Sequence, residues 1–344
     1  MNLLQIVGGQ WAIEPAKLIE INGIYSAHVR GEKIDIDAIE TKLGRALQNK
    51  STSEYFVIDG VAIIPVDGVI AKRMNMMTQI SAGTSSQMVL QALQSAINDP
   101  TAHSIILAVD SPGGTVDGTQ ALADAVYTAR QSGKPIVTLA SGSMCSAAYW
   151  VGSAAQAAYI ADGTTLVGSI GVVTSHTDIS GAQASQGIKT TELSAGKYKR
   201  IASQYAPLTT DGKQSIQESL DYTYGLFVDA VAKNRGVSPA VVQRDMADGR
   251  VFIGKQAFDA GLVDGIITQE DLIKKLNSDR KSGVSTTMQP VAANDAAKAR
   301  FSESCAQSES AEKTTALTAE VKRYMEDKQE PNFLIALKAV TGRV

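Results

Sequence analysis

The chain is poor in the residues on which several protein classes depend. Its 344 residues include two cysteines, Cys145 and Cys305, and three histidines, His28, His103 and His176. Two cysteines cannot build a disulfide framework, and neither they nor the histidines have the spacing of a metal site. Charge of one sign is also lacking: 32 Lys+Arg against 35 Asp+Glu leave a formal net charge of −3. No basic field exists to hold nucleic acid or an anionic membrane. No apolar run reaches the ~18 residues that a bilayer span needs. No Lys or Arg precedes Lys17, and Glu14 lies before it, whereas a secretory signal starts with positive charge. These absences exclude a secreted disulfide scaffold, a zinc module and a collagen-like chain. They make the cytoplasm the simplest expected location and leave no metal or cofactor to expect.

What is present is ordinary globular material, 44% hydrophobic and 19% charged. The length allows about two domains, or one large domain with appendages. Residues 1–55 are expected to form an N-terminal extension carrying one or two helices, with an amphipathic segment at 34–48. Residues 56–276 carry the main domain. Strands are predicted at 60–66, 104–109, 135–140 and 157–161, and helices at 85–97, 117–130, 146–156, 211–235, 239–247 and 255–261. That alternation implies crossover units, hence an α/β fold with a largely parallel, buried sheet. Residues 277–344 change character: a polar stretch rich in Ser, Ala, Thr and Asn, a helix at 314–328, and an apolar patch at 333–340 suited to docking or scaffolding.

Three segments lie where a strand should end and a helix begin, the place where open α/β sheets gather their chemistry. In Asp110-Ser111-Pro112-Gly113-Gly114, paired glycines permit φ > 0 and leave N–H groups unobstructed, as an oxyanion requires. By itself the motif is equally an ordinary turn. It is not a phosphate loop, because no Gly-Lys-Ser/Thr follows. In Ser141-Gly142-Ser143-Met144-Cys145-Ser146-Ala147-Ala148, a loop of small residues leads into a helix beginning near Ser146. A serine there suits a nucleophile, and suits equally an N-cap. Cys145 is a rival nucleophile, or a small buried hydrophobe. In Ala195-Gly196-Lys197-Tyr198-Lys199, a lysine is a general base only where burial strips its proton; otherwise it is a solvated loop residue. Among the histidines, only His176, close to a strand end, could complete a Ser-His-Asp triad.

Taken together, Asp110–Gly114, Ser146-Ala-Ala-Tyr-Trp150, Gly168-Ser-Ile-Gly-Val172 and the lysines of Ala195–Lys199 occur in an order that resembles the signal peptide peptidase A family of Ser-Lys serine proteases, within the ClpP/crotonase-like fold. The resemblance covers about residues 57–270. Within that family, Trp11-Ala-Ile13, Tyr205-Ala-Pro-Leu208 and Leu226-Phe-Val228 are most similar to the phage head-maturation (minor capsid) branch. The resemblance implies that Ser146 is the nucleophile, Lys199 the general base, and Ser169 the serine that hydrogen-bonds the lysine. Gly113 or Gly114, with the N–H of Ala147, would form the oxyanion hole. It further implies polypeptide substrates among capsid, portal or scaffold proteins, a homo-oligomer in which Ser146 and Lys199 can come from adjacent copies, and a setting in the host cytoplasm or procapsid. Where the family usually has Gly-Gly after the nucleophile, this chain has Ala147-Ala148. The competing expectations are a membrane-peptide peptidase, a His176-dependent triad protease, a crotonase-type acyl-CoA enzyme, and a catalytically silent capsid-assembly scaffold. Fold analogy alone licenses none of them.

Overall fold

The computed structural model describes residues 9–29, 55–73 and 83–282. The amphipathic segment at 34–48 and the tail beyond residue 282 lie outside the described residues. By compactness the chain divides into two units, 1–292 and 293–344; the elements below belong to the first.

The main sheet is built from the β-branched runs picked out in the sequence. β3 (Val61–Asp67), β6 (Ser104–Ser111) and β8 (Ile136–Cys145) lie side by side and parallel, with Val61 opposite Ser104 and Ile105 opposite Ile136. β9 (Ala157–Ile160) pairs with the first half of β8, and β10 (Leu166–Gly168) with its second half. β2 (Phe56–Ile58) and β11 (Val251–Ile253) close the edges antiparallel, and β12 (Gly265–Ile266) pairs with β9. The central strands read as continuous apolar runs because both faces are covered.

α2 (Ser86–Asn98), α3 (Thr119–Ala129) and α4 (Ala147–Gly152) pack in sequence on one face, α2 against β3 and α4 against β6. On the other face Leu272, Ile273 and Leu276 of α9 (Gln269–Ser282) pack on Val61, Ile63, Ile106, Val137 and Leu139. Each such side chain, once fully buried, contributes about 1.5–3 kcal/mol. After the short α5 (Ser180–Ser185), the long helix α6 (Thr210–Arg235) buries Phe227, Val228, Val231 and Ala232, all in its C-terminal half. Ile216 and Leu220, apolar positions at the helical period, are only half-buried. α7 (Pro239–Asp245) packs beside α6, and α8 (Lys255–Asp259) follows β11.

Three elements depart from the expectations. β8 continues through Cys145 instead of ending in a loop, because its last three residues find a second partner in β10. Gly113–Thr115 is a strand, β7, rather than a turn, and with β1 at Trp11–Ile13, β4 at Ile70–Ala71 and β5 at Thr84–Ser85 it forms a second, small sheet of order β1-β7-β4-β5. The outer member of that sheet, β1 (Trp11–Ile13), comes from the N-terminal segment and runs antiparallel to β7. α1 (Pro15–Val29) follows it. Among the described residues no helix is long and apolar enough to cross a membrane, and no group of three His, Cys, Asp or Glu could hold a metal ion.

Candidate active site

Ser146 stands between β8 and α4 with φ 54° and ψ −117°, a conformation that L-residues rarely adopt. Among the described residues, three non-glycine residues have positive φ, and two of them are Ser146 and Ser169 (φ 51°). The register explains the coincidence: Cys145 pairs with Gly168, so the two strands turn at the same rung and set the two serines next in chain. The Ser146 N–H donates to the Gly168 carbonyl (2.7 Å), and the Ser169 N–H to the Arg250 carbonyl (2.8 Å). The Ser146 hydroxyl lies 3.4 Å from the Gly171 carbonyl, a long contact that leaves it nearly free.

Strain of this kind persists only where the surroundings over-determine it. Here α4 is fixed from behind. Trp150 stacks on Phe227 of α6 with ring centroids 4.4 Å apart and planes 8° from parallel. The Tyr149 hydroxyl donates to the Leu262 carbonyl at 2.9 Å. Arg235, the last residue of α6, makes a two-pronged bond to Asp264 at 2.8 and 2.7 Å. Burial works against the Arg235 charge, but Asp264 outweighs it and holds the guanidinium protonated above its ordinary range.

The glycine pair lies against Ser146. A methyl group on Gly113 (φ +105°) would stand 2.4 Å from the Ala12 carbonyl oxygen, 2.9 Å from the Cys145 carbonyl oxygen and 3.0 Å from Ser146 Cβ. One on Gly114 would stand 1.8 Å from the Ile70 carbonyl oxygen. Neither position admits a side chain. The Gly113 N–H donates to the Ser111 hydroxyl at 3.2 Å, which leaves the Gly114 N–H as the glycine donor facing β1. The N–H of Ala147, first in α4, has no backbone acceptor among the described residues. Asp110 turns back to accept from the N–H and hydroxyl of Ser143 (3.0 and 3.2 Å), bracing the bend at Gly142.

The other candidates separate cleanly. Cys145 is fully buried, and burial, followed by the nearby Glu14 charge, pushes its thiol up to about 12, so it stays protonated and inert. His176 donates from Nε2 to the Ser203 carbonyl (3.0 Å) and makes no hydrogen bond to Ser146, which gives a Ser-His-Asp triad no support. Lys199 makes no hydrogen bond to Ser146 or Ser169 among the described residues: it is exposed, in a turn closed by its own N–H to the Gly196 carbonyl (3.2 Å). Lys197 is exposed as well and sits over the Tyr198 ring, 5.1 Å from its centroid. The open groove beside Lys199 is lined by Glu192, Leu193, Ser194, Ala195 and Arg200, all from the same loop. Within one chain, then, Ser146, Ser169, Gly113, Gly114 and Ala147 are grouped, and no hydrogen bond among the described residues joins Lys199 to them.

The sequence did not reveal the Arg235–Asp264 pair or the Gln10 contacts, in which the side-chain amide meets the Ser219 hydroxyl (2.7 Å) and the Thr223 hydroxyl (2.6 Å) of α6. No local pattern marks either, since each joins residues far apart in the chain.

A mostly parallel α/β sheet with a strained serine on a strand-to-helix turn, beside a glycine-lined strand, defines a protein of the ClpP-like class. Residues 128–283 match peptidase family S49. The chain is 31% identical over 283 residues to the head-tail preconnector protein GP5 of Enterobacteria phage P21, covering 80% of this chain and 55% of that one. It is 32% identical over 224 residues to the capsid assembly protease C of Escherichia phage lambda, covering 65% and 50%. With the putative protease slr0021 of Synechocystis sp. it shares 34% identity over 194 residues, covering 56% and 68%. The chain belongs to peptidase family S49. It spans about half the length of the two phage relatives.

Proposed function

We propose that the chain is a serine endopeptidase that cleaves capsid, portal or scaffold proteins during phage head assembly, in the host cytoplasm or the procapsid. The observation that carries the chemistry is Ser146 held at φ 54° against the Gly113–Gly114 strand. A peptide carbonyl over Ser146 would meet the N–H groups of Gly114 and Ala147, donors fixed before the reaction begins. A lysine amine, Lys199, takes the hydroxyl proton as Oγ adds to the carbonyl carbon. The tetrahedral oxyanion collapses, the C–N bond breaks, and the same lysine returns its proton to the leaving amine. Water, deprotonated in turn by the lysine, then hydrolyses the ester and restores Ser146.

Lys199 reaches this site from an adjacent copy. Its exposure in the single chain supports that arrangement, because a lysine base needs burial against further protein. Ser169, beside Ser146, is the acceptor that orients its ammonium. The phage setting draws on the two phage relatives, one a capsid assembly protease and one a head-tail preconnector protein.

The test is cleavage of unfolded casein, read by intact mass, by wild type, Ser146→Ala, Lys199→Ala and the two variants co-expressed. Wild type should cleave and each single variant should fall by at least about 10³-fold. Activity regained on co-expression places the two residues on different copies; none regained assigns them to one chain. Cleavage by Ser146→Ala, or by no form, refutes the protease reading and in the second case leaves a silent assembly scaffold.

A further inference from the structure

The strand that pairs with the glycine strand comes from the chain's own N-terminal segment. Glu14 N–H donates to the Pro112 carbonyl (2.8 Å) and Val116 N–H to the Gln10 carbonyl (3.2 Å). Bonded pairs recur at every second residue of an antiparallel ladder. The pair between them, Ala12 opposite Gly114, is therefore bonded, with the Ala12 carbonyl oxygen on the Gly114 N–H. That oxygen and Ser146 Cβ crowd the same small space over Gly113, 2.4 and 3.0 Å from the point that a methyl group would occupy. On the opposite side, the Trp11 N–H donates to the Val173 carbonyl (2.9 Å), and the Val173 N–H to the Trp11 carbonyl (2.8 Å). Val173 follows Ser169 and Gly171 in the same segment. The strand is thus bonded along both edges, in a slot whose walls are the glycine strand and the segment after the second site serine.

An extended peptide presented to Ser146 would need the same donors and acceptors. We propose that residues 11–13 occupy the cleft that substrate peptides must enter, in the register of a substrate, with Ala12 supplying the carbonyl over Ser146. The proposal rests on the protease reading above. The occupant is tied in at several points. Trp11, Ala12 and Ile13 are buried at 5, 0 and 3% exposure, and Trp11 and Ile13 pack with Leu18, Ile21 and Val69. Gln10 is held by Ser219 and Thr223, and the Thr174 hydroxyl donates to the Gly9 carbonyl at 2.9 Å. A competing peptide sees only the fraction of molecules in which this strand has left, so its apparent affinity falls by that fraction. The register also defines a fitting substrate: an extended chain with an alanine-sized residue at the reacting carbonyl.

The test is a reversible lock in a Cys305→Ser background. Trp11 and Thr115 face each other as a non-bonded antiparallel pair, with Cα atoms about 4.5 Å apart, within disulfide reach. Trp11→Cys with Thr115→Cys should, when reduced, cleave casein about tenfold faster than wild type, because the tryptophan anchor is gone. When oxidised it should be silent, and reductant should restore it. Ala12→Glu, which cannot leave its charge in so buried a seat, should accelerate cleavage without any cysteine. Equal Ser146-dependent rates in wild type, Ala12→Glu and both redox states overturn the occupancy while the protease reading stands. No Ser146-dependent cleavage in any form overturns both.

Discussion

Replacing Ser146 with glycine should leave a more stable protein than replacing it with alanine, although both lack the proposed nucleophile. The φ of 54° and ψ of −117° belong to a region that disfavours any residue with a Cβ, at about 1–3 kcal/mol. Alanine retains the Cβ and the strain. Glycine removes both but adds about 0.5–1 kcal/mol of backbone entropy to the unfolded chain. The lost hydroxyl matters little to either variant, since its contact with the Gly171 carbonyl is 3.4 Å long. The difference is then about 1 kcal/mol in favour of glycine, or about 2–4 °C in melting temperature for a domain of this size. Thermal and urea unfolding of the two variants, followed by circular dichroism, measures it directly. A Ser146→Gly protein no more stable than Ser146→Ala would refute the idea that the fold stores strain at this serine.

Gly114→Ala, whose methyl would fall 1.8 Å from the Ile70 carbonyl oxygen, should force β4 from β7 and lower stability by about 3 kcal/mol or more; urea unfolding checks this. Asp264→Ala leaves the buried Arg235 guanidinium without its partner and should lower stability by about 3–5 kcal/mol, whereas breaking the exposed Lys255–Asp259 pair by Asp259→Ala should change it by less than about 1 kcal/mol. With Cys305→Ser, native protein at pH 8 should not react with iodoacetamide, while unfolded protein takes up one label, because the Cys145 thiol stays protonated until about 12. The same shift has a pH signature. A folded pKa raised above the ordinary thiol value of 9.0 contributes stability that is complete below that value and is lost as pH climbs towards about 12. Cys145→Ala should therefore flatten the alkaline decline by up to about 1.4 kcal/mol per pH unit across that window.

Much of this protein was legible from residue order alone. The apolar runs at 60–66, 104–109 and 135–140 became the central strands, and 85–97 and 211–235 became helices, because hydrophobic period is a local property that burial then rewards. The glycine pair and Ser146 stand out in the sequence as candidates because each sits where a strand hands over to the next element. The Trp11–Ile13 strand was missed, although a short apolar run between Gly9 and Pro15 carried a faint strand signal. Three residues are too few for a period to show.

Tertiary structure decided what no local pattern encodes. Which glycine N–H faces β1 depends on the register of β1 against β7, and the positive-φ turn at Ser146 depends on β10 pairing with the end of β8. The seating of Ala12 on Gly114 is likewise a matter of register between segments far apart in the chain. Residue types fix what each segment can become. Only the pairing of distant strands, each satisfying the backbone groups of the other, fixes which of them meet at Ser146.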